Sequence, residues 1–202
     1  MDILKKVVNF FFELSVLKRI PRSGWRNIGI ENPNSVAEHV FSTTQIAYIL
    51  GKMEKINAER AALIALFHDN GEARIGDENV IAKLYSGANK DRAEKKAFFD
   101  QIKDLPGEKE IKEISEEWER KETPESIVAR DADTLEAAIQ AKCYLDSGNK
   151  LAKLWIKWYK SRVKTKSAKK IIEAIEKTNI DEWWKEIPWV RGEIKKLKKG
   201  NK

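Results

Sequence analysis

Asn57-Ala58-Glu59-Arg60-Ala61-Ala62-Leu63-Ile64-Ala65-Leu66-Phe67-His68-Asp69-Asn70-Gly71-Glu72 begins as a helix and ends in chemistry. Asn57 suits a helix start, because its side-chain oxygen can take up one of the backbone N–H groups left unpaired there. The apolar run from Ala61 to Phe67 carries the helix straight into His68 and Asp69, and Gly71 disturbs or ends it. Consecutive helical residues point about 100° apart, so an imidazole and a carboxylate at such an end can both reach one ion. A cation held in this way needs a histidine from a different helix and a further carboxylate.

The chain has two histidines, so the other candidate is His39. It follows Ser35-Val36-Ala37-Glu38, a Ser-x-x-Glu sequence whose two side chains can cap each other's backbone N–H groups and open a second helix. That gives Glu38 a capping role and puts His39 in the first turns. Before it, Ile3, Val7, Phe10, Leu14 and Leu17 recur at spacings of three and four, the stripe of an amphipathic helix ending near Pro21. A polar stretch with Gly and Pro continues through Asn34.

Beyond Gly71, charged helices are expected at about 91–103 and 108–120, parted by Leu105-Pro106-Gly107, where Pro lacks an N–H and Gly relaxes the backbone. Thr123-Pro124-Glu125 opens a long helix that Gly148 closes. The tail predicts helices at about 150–163 and 167–178 and a short aromatic one near Trp183, broken by Pro188. No segment alternates for long in the manner of a strand, so the expected fold class is all-α, a single multi-helix bundle.

At 202 residues the chain fits one domain better than two. It is 42% hydrophobic and 35% charged, enough for a packed interior under a highly charged surface. No run approaches the roughly 18 apolar residues of a membrane span, and the first residues lack a signal-peptide pattern, so a cytoplasmic protein without membrane contact is expected. The single cysteine, Cys143, excludes an intrachain disulfide and a thiolate-rich zinc site, and is expected as a buried structural thiol.

The net charge of +7 is unevenly spread: residues 150–170 hold nine Lys/Arg and no Asp/Glu, and 191–202 hold six against Glu193. A solvated Lys-rich surface is the favoured reading. The competing one, a basic helical module for nucleic acid, predicts salt-sensitive binding but has no recognisable motif behind it. Trp155, Trp158, Trp183 and Trp184 are expected in core or subunit packing, with base stacking as the alternative.

Three motifs in order, Ser35-Val36-Ala37-Glu38-His39, His68-Asp69-Asn70-Gly71-Glu72 and Arg130-Asp131-Ala132-Asp133-Thr134-Leu135-Glu136, resemble the HD superfamily of metal-dependent phosphohydrolases from roughly Leu4 to Ile175. Glu72 followed by Ile75-Gly76-Asp77 is similar, more narrowly, to the 5'-deoxynucleotidase group, which removes phosphate from deoxyribonucleoside 5'-monophosphates. The resemblance implies one HD domain over 1–202, with its core at about 4–175 and a basic helical extension at about 176–202, working as a homodimer. Hydrolysis of guanosine polyphosphates, cyclic nucleotides or nucleoside triphosphates by the same scaffold is the alternative activity.

Carried over by motif position, the resemblance implies His39, His68, Asp69 and Asp133 as ligands of one divalent cation. Periodicity by itself leaves Asp131 open as a competitor, because Val128, Ala132, Leu135 and Ile139 form an apolar face nearer Asp131 while Ala129, Ala137 and Tyr144 line the other side. Two imidazoles and two carboxylates suit Mn, Co, Fe, Ni, Zn or, less well, Mg. The implied reaction is metal-assisted hydrolysis, in which an activated water attacks phosphorus in line. Glu72 is placed as acid, base or water-orienting group, and Asp77 as a second acid that serves the leaving 5' oxygen. For the substrate, Arg19-Ile20-Pro21 matches an Arg-aromatic-Pro sequence of the group with Ile in place of the aromatic. Arg19 is therefore a candidate phosphate or ribose contact, and Trp25 is open between substrate contact and packing.

Overall fold

A computed structural model of the chain describes residues 2–200, with side chains as far as Leu197. Its helices are α1 (Ile3–Leu14), α2 (Val36–Glu54), α3 (Ala58–Phe67), α4 (Glu72–Ile75), α5 (Val80–Ser86), α6 (Ala88–Ile102), α7 (Glu108–Arg120), α8 (Pro124–Asp146), α9 (Ala152–Lys160), α10 (Lys166–Lys177), α11 (Glu182–Lys185) and α12 (Pro188–Gly200). Two 3-10 turns, Ser15–Arg19 and Ser23–Ile28, shape the link from α1 to α2. Among the described residues the only extended pairing is an isolated bridge between Pro21 and Ser35, so the all-α expectation holds.

The starts of the helices follow the capping residues seen in the sequence. Ser35 and Glu38 close a capping box on α2. Asn57 accepts from the Arg60 N–H at the head of α3, and Thr123 from the Ser126 N–H at the head of α8, with Pro124 in its first turn. Gly148 ends the turn after α8 with φ 106°, a conformation that costs a side-chain-bearing residue more than glycine.

α8 is the axis of the molecule. It packs on α2, α3, α9 and α10 and also meets α7, and its buried residues lie on every side: Val128, Ala129, Asp131, Ala132, Leu135, Glu136, Ala137, Ala138 and Ala141. Alanines at so many of these positions let the neighbouring backbones approach. One cluster joins Leu50, Ala61, Val128, Leu135 and Ile172, and a second joins Ala47, Ile64, Ala65, Ile114 and Ala132.

Several expectations are corrected. The short aromatic helix ends at Lys185, ahead of Pro188 as expected, but Pro188 also opens α12, where its fixed φ is already helical and its missing N–H costs nothing. Helix α5 was not legible, since Val80 to Ser86 is short and buries none of its residues. Cys143 is half-buried rather than buried. Trp183 is 73% exposed, which leaves subunit packing of its two expected roles, whereas Trp155 packs on Trp25 as expected. Among the described residues no helix is long and apolar enough to cross a membrane.

Candidate metal centre

α2, the end of α3 and the middle of α8 bring four side chains to one point. His39 Nε2 lies 3.2 Å from Asp133 Oδ1 and 3.7 Å from Asp69 Oδ2. His68 Nε2 lies 3.1 Å from the same Asp69 oxygen and 4.0 Å from the same Asp133 oxygen. Both imidazoles are enclosed, with 0% and 2% of their side chains exposed.

Each ring is held by its other nitrogen. His39 Nδ1 donates to the buried Glu136 carboxylate, and His68 Nδ1 donates to the Ala65 carbonyl oxygen at 2.7 Å. That leaves both Nε2 atoms buried with no hydrogen-bond partner. Two unpaired ring nitrogens facing two carboxylate oxygens repel one another unless something positive lies between them. The donor atoms of His39, His68 and Asp69 fall within 4.8 Å of one another, so the residues present fit a cation.

Without a metal, protons supply the charge. Burial and the Arg22 charge work against a charged His39, but Asp133 and Glu136 outweigh them and hold its pKa at about 9. Burial pushes the Asp133 carboxyl up, yet the His39 imidazole 3.2 Å away, with His68 and Arg22, brings it down to about 2. Asp69 is buried too, and His68, Arg22 and His39 hold its carboxyl far below the usual range.

Asp131 and Asp133 lie two residues apart and do different work. The buried Asp131 turns away and accepts from the Lys164 N–H at 2.9 Å and the Thr165 N–H at 2.7 Å, fixing the entry to α10. Asp133 faces the histidines.

Beside Asp69, Glu72 is 4% exposed, and its Oε2 has no partner. Burial, with the Asp69 and Asp77 charges, raises its carboxyl well above the normal range. Glu94 of α6 joins Asp69 and Glu72 in a second tight acidic group, and burial and Asp69 raise it to about 7. Asp77 is fully engaged as an acceptor: the Ser23 N–H and hydroxyl each donate at 2.6 Å, and Arg22 Nη1 at 3.0 Å. It pins the 22–25 loop to the segment after α4.

A cleft of about 580 Å³ opens on this centre, lined by His68, Asp69, Glu72, Asp77 and Asp133 among others. Arg22 reaches into it and donates to Asp69 Oδ2 at 3.1 Å. Arg19 is exposed at the end of its 3-10 turn and lies outside the cleft. Trp25 touches the cleft but is 4% exposed and packs edge-on to Tyr144 at 5.3 Å, so most of its surface serves the core.

The family profile of the HD domain matches residues 14–177. The chain belongs to the HD-domain family. This HD domain is 33% identical over 153 residues to the 5'-deoxynucleotidase HDDC2 of Danio rerio, covering 75% of this chain and 76% of that protein. A solved conserved hypothetical protein from Pyrococcus furiosus superposes with a TM-score of 0.71 at 32% identity, covering 85% of this chain and 99% of that one. The cyanophage S-2L HD phosphohydrolase DatZ, solved with dA and one catalytic Zn2+ ion, shares the fold at 21% identity with a TM-score of 0.55 over 83% of this chain and 96% of that one.

Four residues of the HD centre escaped the sequence reading. Arg22 was passed over for Arg19 because both lie in one basic loop, and only the fold shows which turns inward. Glu136 stands three residues after Asp133, a helical spacing that signalled a shared face. Glu94 and Trp118 gave no signal, since α6 and α7 read as ordinary charged helices. Trp118 lies against His68 with ring centroids 4.7 Å apart, and the Arg130 guanidinium carbon lies 4.0 Å from the centre of its ring.

Proposed function

We propose that this HD domain is a metal-dependent 5'-deoxynucleotidase, removing phosphate from deoxyribonucleoside 5'-monophosphates at a centre formed by His39, His68, Asp69 and Asp133. The carrying observation is the pair of buried, unpartnered Nε2 atoms facing two carboxylates at the floor of an open cleft. The identity to a relative named 5'-deoxynucleotidase supports the substrate class. A divalent cation there, Mn, Co, Fe, Ni, Zn or Mg, supplies charge neutralisation for the phosphoryl group and makes water acidic enough to attack near neutral pH.

The chain's own groups do the rest. Arg22 bonds the phosphoryl oxygens, a task for which its fixed fork of donors is suited. Glu72, buried and raised in pKa, takes the proton of the attacking water and returns it toward the leaving 5' oxygen. Asp77 is assigned a positioning role in place of the acid role expected from the resemblance, since its partners are all donors and hold the Arg22 loop. Glu136 orients His39 through Nδ1, as carboxylates behind metal-bound histidines commonly do.

We further take the molecule to be a cytoplasmic homodimer with an HD core at about 4–175 and a basic extension at about 176–202. Exposed Phe11, Phe12 and Phe41 support self-association, because large apolar side chains in water favour contact with another surface. Sedimentation at several concentrations tests it, and a monomer throughout rejects the dimer.

The decisive assay is phosphate release from a panel of ribo- and deoxyribonucleoside 5'-monophosphates after chelation and re-addition of each metal, with wild type and Asp69→Ala. Metal-requiring turnover of deoxy substrates that disappears in the variant is expected. Survival of every monophosphate despite metal bound at this site removes the nucleotidase reading.

A further inference from the structure

The cleft has a wall that the hydrolytic groups do not use. α9 and the turn after it present Trp155, Trp158, Tyr159 and Arg162 to the cleft that opens on Asp69 and Asp133. The spacing of three, four and seven puts them on one helical stripe. Trp155 and Trp158 stand nearly perpendicular at 5.8 Å, and the Arg162 guanidinium carbon lies 4.5 Å from the centre of the Trp158 ring.

Four tryptophans line the cleft, and three have other work. Trp25 is core. Trp118 is engaged by His68 and by Arg130, which also donates twice to its carbonyl oxygen. Trp155 packs on Trp25 with Tyr159 beside it. Trp158 meets Trp155 and Tyr159 only edge-on, the latter at 5.0 Å, yet it is half-buried, belongs to none of the buried apolar clusters among the described residues, and is topped by an arginine that is itself exposed. A tryptophan kept at a cleft edge under a guanidinium plane is a surface on which a flat aromatic ring can stack.

We propose that Trp158 and Arg162 form the nucleobase-binding wall of the active site, stacking the base of a nucleoside 5'-phosphate whose phosphate lies at Arg22, Asp69 and Asp133. The inference rests on the nucleotidase reading and adds to it the subsite for the base. Stacking without hydrogen bonds to base edges reads ring area rather than identity, so purine monophosphates bind more tightly than pyrimidine ones, and adenine and guanine are treated alike.

The test compares binding of 2'-deoxyadenosine 5'-monophosphate with that of 2-deoxyribose 5-phosphate by calorimetry. It uses metal-loaded wild type, Trp158→Ala, Trp158→Phe and Arg162→Ala, with hydrolysis of both compounds followed in parallel. Trp158→Ala is expected to lower the ratio of nucleotide to sugar-phosphate affinity about 10- to 100-fold, and Arg162→Ala less, with Trp158→Phe recovering most of the loss. A ratio unchanged in both Trp158→Ala and Arg162→Ala, or a wild type that binds the nucleotide no better than the sugar phosphate, overturns the inference even if phosphate release stands. Conversely, nucleotide binding that depends on Trp158 without hydrolysis of either compound supports the wall while removing the nucleotidase reading.

Discussion

Arg22 and His68 compete for one oxygen: Asp69 Oδ2 lies 3.1 Å from the arginine's Nη1 and 3.1 Å from the imidazole's Nε2. The guanidinium therefore borders the position a cation would take in the proposed centre and would oppose it electrostatically. Arg22→Gln is expected to tighten metal binding several-fold while lowering kcat/KM about 30- to 100-fold, the cost of a lost charged hydrogen bond of about 2–3 kcal/mol. Chelator-competition titration and steady-state kinetics read the two effects, and a metal affinity that falls instead contradicts the arrangement.

In the proposed centre Glu136 would act on a metal through His39, whose Nδ1 it holds. Glu136→Gln should weaken metal binding by about 10- to 100-fold without changing the stoichiometry. An unaltered affinity in the same titration removes its orienting role.

The pH dependence of metal binding follows from His39. Its metal-free pKa of about 9 means that a proton must leave before Nε2 can hold a cation. Apparent metal affinity should therefore rise with pH, by up to about tenfold per unit, and level off above pH 9. Calorimetry in buffers of different ionisation enthalpy counts the released proton; zero release at pH 7 rejects the coupling.

Asp131 and Asp133 separate by function. Asp131→Ala leaves two backbone N–H groups at the head of α10 without their acceptor and is expected to cost about 2–3 kcal/mol while metal still binds. Asp133→Ala should keep the fold and lose tight metal binding. Thermal unfolding with metal titration on both variants decides, and the reverse pattern makes Asp131 the ligand.

Gly71 is fixed by the close passage of α6. A Cβ there would stand 2.5 Å from the Glu94 carbonyl oxygen, a backbone atom that cannot swing away. Gly71→Ala is expected to destabilise the protein by about 1–3 kcal/mol, measured by denaturant unfolding, and wild-type stability would show that α6 yields easily.

The helical class and most helix starts were legible because caps and breakers act locally: Ser35 with Glu38, Asn57, and Thr123 before Pro124 decide their own ends. The histidines and the pair His68-Asp69 were legible because so few histidines occur. The choice of Asp133 over Asp131 was legible only through the motif resemblance, since α8 is buried on all sides and its periodicity points nowhere. Arg22 over Arg19, and Glu94 near Asp69, depend on how a loop and a remote helix dock, which no local pattern encodes.

His39 and Glu136 are separated by 97 positions in sequence yet share a bonded contact, and Asp69 lies on a third segment. A cation at this point therefore acts as a cross-link among α2, α3 and α8, present only while all three are docked. Ligation should couple their transient openings, so that amide hydrogen exchange in these helices slows together on metal addition while exchange in α12 keeps its rate.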